Sequence, residues 1–241
     1  MTELAHYRQA HPLPYVITHW INLIAVGSLI VSGFLIHYPF IPRTMAAARG
    51  VHVFFAAVFV VNMLVRVVSA FFVKSAVAGG TREVDLDIKN FLPQKDNRHQ
   101  MGAWIRYYLF LKKDHPLGAK FGVLQKIFYF MIPVFALFMT LTGFCLWAPT
   151  GELPPMQAII NMAGGIMMVR IAHYWLMWLF IIFLMIHIYL SVIEGLSPLK
   201  MMFFWKEHGG LVYSPKVHDI VGEDEDLTLT VGEAEDAEKP S

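Results

Sequence analysis

The apolar positions of this chain are blocked rather than alternating. Four long runs cover about residues 15–36, 51–73, 122–147 and 166–193. Each is long enough to cross a bilayer, which takes about 20 mostly apolar residues at about 1.5 Å of helical rise each. Strands of a membrane barrel would show short alternating segments instead. Lipid offers no partners for backbone amides, so a span must satisfy its own, and a helix does. The pattern predicts an all-α integral membrane four-helix bundle over residues 1–210, followed by a tail at 211–241.

Composition strengthens this reading. The 241 residues are 56% hydrophobic and 14% aromatic, with 15% charged, against about 25% charged in soluble domains. The start of the chain is polar, and the first apolar run is longer than a signal-peptide core, so it is expected to be kept as a helix. The single cysteine, Cys145, lies inside the third span. It forms no disulfide framework or cysteine metal site and is expected to be a buried, inert small residue.

Charge then gives direction. Residues 74–120 carry nine Lys and Arg, the N-terminus adds Arg8, and the C-terminal part adds Lys200, Lys206, Lys216 and Lys239. The first connection has two, Arg43 and Arg49, and residues 149–165 have none. The bias of 14 against two predicts that both termini and the middle loop are cytoplasmic. Residues 219–241 hold nine acids against one Lys, so the tail is expected to be solvated and disordered. Topology already accounts for the basic residues, which leaves nucleic-acid binding without support. Walker, dinucleotide-glycine and cysteine-cluster motifs are absent.

Polar residues within a bilayer are costly and mark functional sites. Of the eleven histidines, His19, His52, His173 and His187 fall within spans, and His37 falls at the end of the first. His173 and His187 are 14 residues apart. That spacing advances about 21 Å and rotates about 1400°, close to four full turns, so both imidazoles face the same way at different depths. On the predicted topology His19 shares the depth of His187, and His52 that of His173. Two pairs of neutral imidazoles at two depths suit two b-type haems, each with two axial ligands. Any one of these histidines alone could equally be a hydrogen-bonding or cavity residue. His37, at the membrane edge, is read as interfacial.

Other residues could serve the haems. Arg66, 14 residues after His52, and Arg170, three before His173, could pair with propionates or snorkel to the interface. Gly27, Gly33 and Gly143 could admit a flat macrocycle, although helix packing is the more ordinary use. Ser32-Gly33-Phe34 and Thr142-Gly143-Phe144 echo each other but are too short to define a repeat. The aromatic residues Phe128, Phe130, Trp175 and Trp178 are read as core and lipid-facing. Two haems at opposite faces would form an electron path across the membrane, with a quinone as the natural lipid-phase acceptor.

Thr18-His19-Trp20, His52, Arg66, the stretch Trp104 to Lys113 (WIRYYLFLKK) and His173-x13-His187-x-Tyr189 carry a resemblance. Over roughly residues 10–195 the chain resembles the cytochrome b subunit of membrane-bound nickel-iron hydrogenases. That family is related to the gamma subunit of respiratory formate dehydrogenase within the cytochrome b561 superfamily. The resemblance implies two haem b groups on His19, His52, His173 and His187. It also implies an outer-face hydrogenase of small iron-sulfur and large subunits as electron donor, with quinone reduced near the inner haem and room for a dimer of complexes. In the formate dehydrogenase branch an Asn-containing turn before the third span helps bind quinone. The matching stretch here lacks that Asn, leaving His115, Gly118 and Lys120 as candidates. The alternatives are a formate dehydrogenase or thiosulfate reductase partner, a free-standing cytochrome b561, or a haem-free transporter or anchor.

Overall fold

The computed structural model describes residues 11–76, 84–92, 101–111, 123–193, 202–204, 210–214 and 219–224. Four helices in it are long and apolar enough to cross a membrane: α1 (Leu13–His37), α2 (Met45–Ser69), α4 (Val123–Leu146) and α7 (Ile166–Ile193). A short α3 (Met101–Tyr108) precedes α4, and α5 (Ala148–Gly151) and α6 (Pro154–Met162) link α4 to α7. Strands β1 (Lys74–Ala76) and β2 (Val84–Leu86) pair antiparallel, as do β3 (Gly210–Ser214) and β4 (Asp219–Asp224). Strand β4 lies inside residues 219–241, the stretch that composition assigns to a disordered tail. The chain is a multi-pass membrane protein.

The second span differs from its sequence-based bounds. α2 starts at Met45 and stops at Ser69 rather than covering 51–73. Arg49 and Gly50 interrupt the apolar run, but Met45-Ala46-Ala47-Ala48 is strongly helix-forming and carries the helix about 1.7 turns further back. Consequently His52 does not open the helix. It lies seven residues after Met45, as His173 lies seven after Ile166.

The chain forms two compact units. One comprises Thr18–Val65 and Phe130–Tyr189. Its small core takes one residue from each long helix: Ala25, Phe59, Ala136 and Phe180. Most other large apolar side chains point outward, among them Phe54, Val61, Phe130, Leu137 and Trp175. Such an outward apolar surface fits lipid contact. Hydroxyls within the helices bond back to carbonyls four residues earlier, as Thr140 does to Ala136 at 2.7 Å, which satisfies them without water. Pro133 removes one amide donor inside α4, which membrane helices tolerate. Gly164 and Gly165 adopt φ of 89° and 110°, and the Gly165 amide donates to the Ile160 carbonyl at 2.8 Å. That left-handed pair ends α6 and turns the chain into α7.

The other unit comprises Met1–Ile17, Arg66–Tyr129 and Leu190–Ser241. Here the chain after α2 folds back on the helix end. The Ile88 amide donates to the Ala70 carbonyl at 2.9 Å, and the Asp87 amide to Val73 at 3.0 Å. The Tyr15 hydroxyl donates to the Ser69 carbonyl at 3.3 Å. The Ser69 carbonyl is among those that a helix terminus leaves without an intrahelical partner, and Ala70 and Val73 lie just past that end. Lys89 donates to Asp85 at 2.6 Å, and this bond holds the exposed Asp85 carboxyl below the usual carboxylate range. Trp104 and Tyr108 of α3 are buried against each other, with ring centres 5.4 Å apart.

Candidate functional site: two imidazole pairs

The four span histidines meet in two pairs within the unit Thr18–Val65 and Phe130–Tyr189. His19 on α1 faces His187 on α7, with ring centres 6.1 Å apart. His52 on α2 faces His173 on α7 at 6.3 Å. All four are half-buried. Two metal–imidazole bonds of about 2.0 Å, plus about 1.1 Å from each nitrogen to its ring centre, require ring centres about 6.2 Å apart. The spacing and the donors therefore fit a metal held between two imidazoles, the arrangement that bis-histidine haem ligation would need.

Helix positions explain how the pairs form. The 14-residue interval on α7 puts His173 and His187 on one face, about 21 Å apart along the axis. His19 lies six residues after Leu13, and His187 six before Ile193. Between the two levels Phe59 and Phe180 meet edge to face at 6.2 Å. On α1 and α2, beside His19, the Asn62 amide donates at 2.7 Å to the Thr18 carbonyl and at 2.7 Å to Asn22 Oδ1. This clasp ties α2 to α1 at the depth of the first pair.

At the second pair, two hydroxyls hold the rings. Ser32 Oγ lies 3.0 Å from His52 Nδ1, and Thr142 Oγ1 lies 2.8 Å from His173 Nδ1. The next residues are Gly33 and Gly143. A Cβ on Gly33 would sit 3.6 Å from His52 Cε1, and one on Gly143 would sit 3.6 Å from His173 Cε1. The Ser-Gly-Phe and Thr-Gly-Phe echo thus corresponds to two equivalent imidazole seats on different helices. Sequence reasoning saw the echo but had no means of knowing which ring each triplet faces.

The remaining candidates lie as follows. Arg66 donates to Asp87 Oδ2 at 3.1 Å and stacks over the Tyr15 ring at 3.7 Å. Asp87 is 1% exposed and also accepts from Ser75 Oγ at 2.6 Å, while Asn90 donates to that oxygen at 3.0 Å. Sequence reasoning did not single out Asp87, because no local pattern sets it apart from Glu83, Asp85, Asp96 and Asp114 in the same polar loop. Arg170 is exposed near the start of α7. His37 stacks on Tyr174 with ring centres 4.3 Å apart. A Cβ on Gly27 would meet open space. Phe130 and Trp175 point outward, and Trp178 packs on Phe34. His115, Gly118 and Lys120 lie outside the described residues. Cys145 is buried, as expected, at 3.9 Å from the Met156 sulfur.

Four membrane-spanning helices with imidazoles paired between them define a membrane-bound b-type cytochrome. The profile of the prokaryotic cytochrome b561 family matches residues 10–205, and the chain belongs to that family. Haem b is the cofactor that membership implies. Among its relatives is a protein of Cupriavidus necator named a probable Ni/Fe-hydrogenase B-type cytochrome subunit. It is 25% identical over 203 residues, covering 76% of this chain and 78% of the relative. A protein of Escherichia coli K12 named a probable Ni/Fe-hydrogenase 1 B-type cytochrome subunit is 25% identical over 211 residues, covering 80% and 85%.

Proposed function

We propose that this chain is the di-haem membrane subunit of a hydrogenase complex, passing electrons from an outer-face iron-sulfur partner to a membrane quinone. The observation that carries the reading is the pair of imidazole pairs, with ring centres 6.1 and 6.3 Å apart, on one set of helices. A haem b iron between two imidazoles accepts and releases a single electron without changing its ligands. His19 and His187 hold one such group, and His52 and His173 hold the other. Ala25, Phe59, Ala136 and Phe180 place an apolar cluster at the level between them.

The Lys and Arg bias favours cytoplasmic termini, which makes His52 and His173 the outer pair and His19 and His187 the inner pair. The outer pair then receives electrons, and the inner pair lies on the quinone side. His115, Gly118 and Lys120 remain the candidates for quinone contact. The names of the relatives favour a nickel-iron hydrogenase as partner over a formate dehydrogenase or thiosulfate reductase, and its small and large subunits are the partners of this reading.

The test uses native membranes and the purified complex. Affinity capture of the full chain is expected to bring down hydrogenase subunits, with two haems b per chain. Hydrogen-dependent quinone reduction is expected to disappear in His187→Ala. A haem-replete preparation without b-type absorption bands would sink the reading. Capture of a formate dehydrogenase instead would replace the partner.

A further inference from the structure

The hydroxyl seats at His52 and His173 decide something that the ring distances do not. Ser32 Oγ lies 2.6 Å from the Ser28 carbonyl and 3.3 Å from that of Leu29. Thr142 Oγ1 lies 2.8 Å from the Phe138 carbonyl and 3.0 Å from that of Met139. A carbonyl oxygen only accepts, so each hydroxyl proton is committed to the backbone. What each hydroxyl still offers is a lone pair. Toward the imidazole it therefore accepts, and Nδ1 must be the nitrogen that bears hydrogen. Nε2 is then left as the unprotonated donor on both rings. The same chain of bonds, Nδ1–H to hydroxyl to carbonyl, runs twice, on α1 for His52 and on α4 for His173.

We propose that Ser32 and Thr142 are positioning residues that fix the tautomer and orientation of the two imidazoles in this pair, and thereby set the reduction potential of the iron they hold. The proposal rests on the di-haem reading above. An acceptor on the far ring nitrogen makes a ligating imidazole more electron-rich, and partners of this kind tune both affinity and potential. Electron-rich ligands favour the ferric state, so the two hydroxyls lower the potential of this site. Gly33 and Gly143 follow the two hydroxyls and lie beside the rings, where a Cβ would stand at ordinary van der Waals distance, 3.6 Å, from each Cε1.

The experiment is an equilibrium redox titration of the b-type absorption bands in the purified full-length protein. Wild type is expected to resolve two components, and His173→Ala identifies the one belonging to this pair by abolishing it. Thr142→Val and Ser32→Ala are each expected to raise the potential of that component. The shift should reach up to about tenfold in its reduction equilibrium, or ~59 mV for one electron, with the other component unmoved. Thr142→Ser restores an oxygen of the same reach and is expected to titrate as wild type. Loss of the component in Thr142→Val that Thr142→Ser reverses also supports the proposal. If wild type holds fewer than two haems, or His173→Ala abolishes neither component, the di-haem reading fails and this inference with it. If both components are present and Thr142→Val and Ser32→Ala leave them in place, only the positioning role is overturned. The same holds if Thr142→Ser shifts as far as Thr142→Val.

Discussion

Phe59 meets Phe180 edge to face, with ring centres 6.2 Å apart and planes at 84°. Phe180 stands seven residues from both His173 and His187, and Phe59 stands seven after His52. The contact therefore lies midway between the two imidazole levels, about 10 Å along the helix from each. Deleting either ring opens a cavity in the cluster to which all four long helices contribute. Phe180→Ala is expected to lower stability by about 3 kcal/mol, while Phe180→Leu, which keeps most of the volume, costs clearly less. Thermal melts in detergent check this, and equal melting temperatures for Phe180→Ala and wild type would refute it.

The histidines should fail in pairs. His19→Ala and His187→Ala are expected to lose the same haem, and His52→Ala and His173→Ala the other. Each single variant then drops from two haems per chain to one. The double variant His19→Ala with His187→Ala should retain one, whereas His187→Ala with His173→Ala should retain none. Haem content per chain, measured after extraction, decides between this and any other pairing.

Arg66 and Asp87 form an unequal ion pair, since the arginine is 26% exposed and the aspartate 1%. Removing the carboxylate strands a cation that can still reach water in part, so the full cost of breaking a buried pair does not apply. Asp87→Ala is expected to destabilise by about 1–3 kcal/mol. In a double-mutant cycle with Arg66→Met the two losses should be less than additive. Strict additivity would show that the pair contributes nothing.

Gly151 has no room for a side chain. A Cβ there would lie 2.7 Å from the Cys145 carbonyl oxygen, which is backbone and cannot swing aside. Gly151→Ala should force α5 away from the end of α4 and cost about 1–3 kcal/mol. By contrast, Gly27→Ala, where a Cβ meets open space, is expected to melt as wild type. Comparable melting of the two alanine variants would refute the steric argument.

The charge bias predicts a topology that reporters can read. A reporter fused after residue 241 is expected to signal a cytoplasmic C-terminus, and one inserted at residues 152–153 an outer location. The reverse pattern would exchange the outer and inner assignments of the two pairs without altering the pairs themselves.

Span number, the 14-residue interval and the charge bias were legible in the sequence because each is local. Hydropathy is averaged along the chain, and helical periodicity converts spacing directly into a shared face. The same reasoning paired His19 with His187 and His52 with His173. The start of α2 was not legible, because Arg49 and Gly50 break the apolar run while Met45 to Ala48 still favour a helix.

Tertiary structure alone decided which partner each polar group found. Sequence could offer Arg66 to a propionate, but the chain after α2 folds back and presents Asp87 to it. It could note that Ser32-Gly33 and Thr142-Gly143 look alike, but only the packing of α1 against α2 and of α4 against α7 brings those hydroxyls to His52 and His173. Such contacts join residues 20 and 31 positions apart. They depend on how whole helices rotate against each other, which no local pattern of apolar and polar residues encodes.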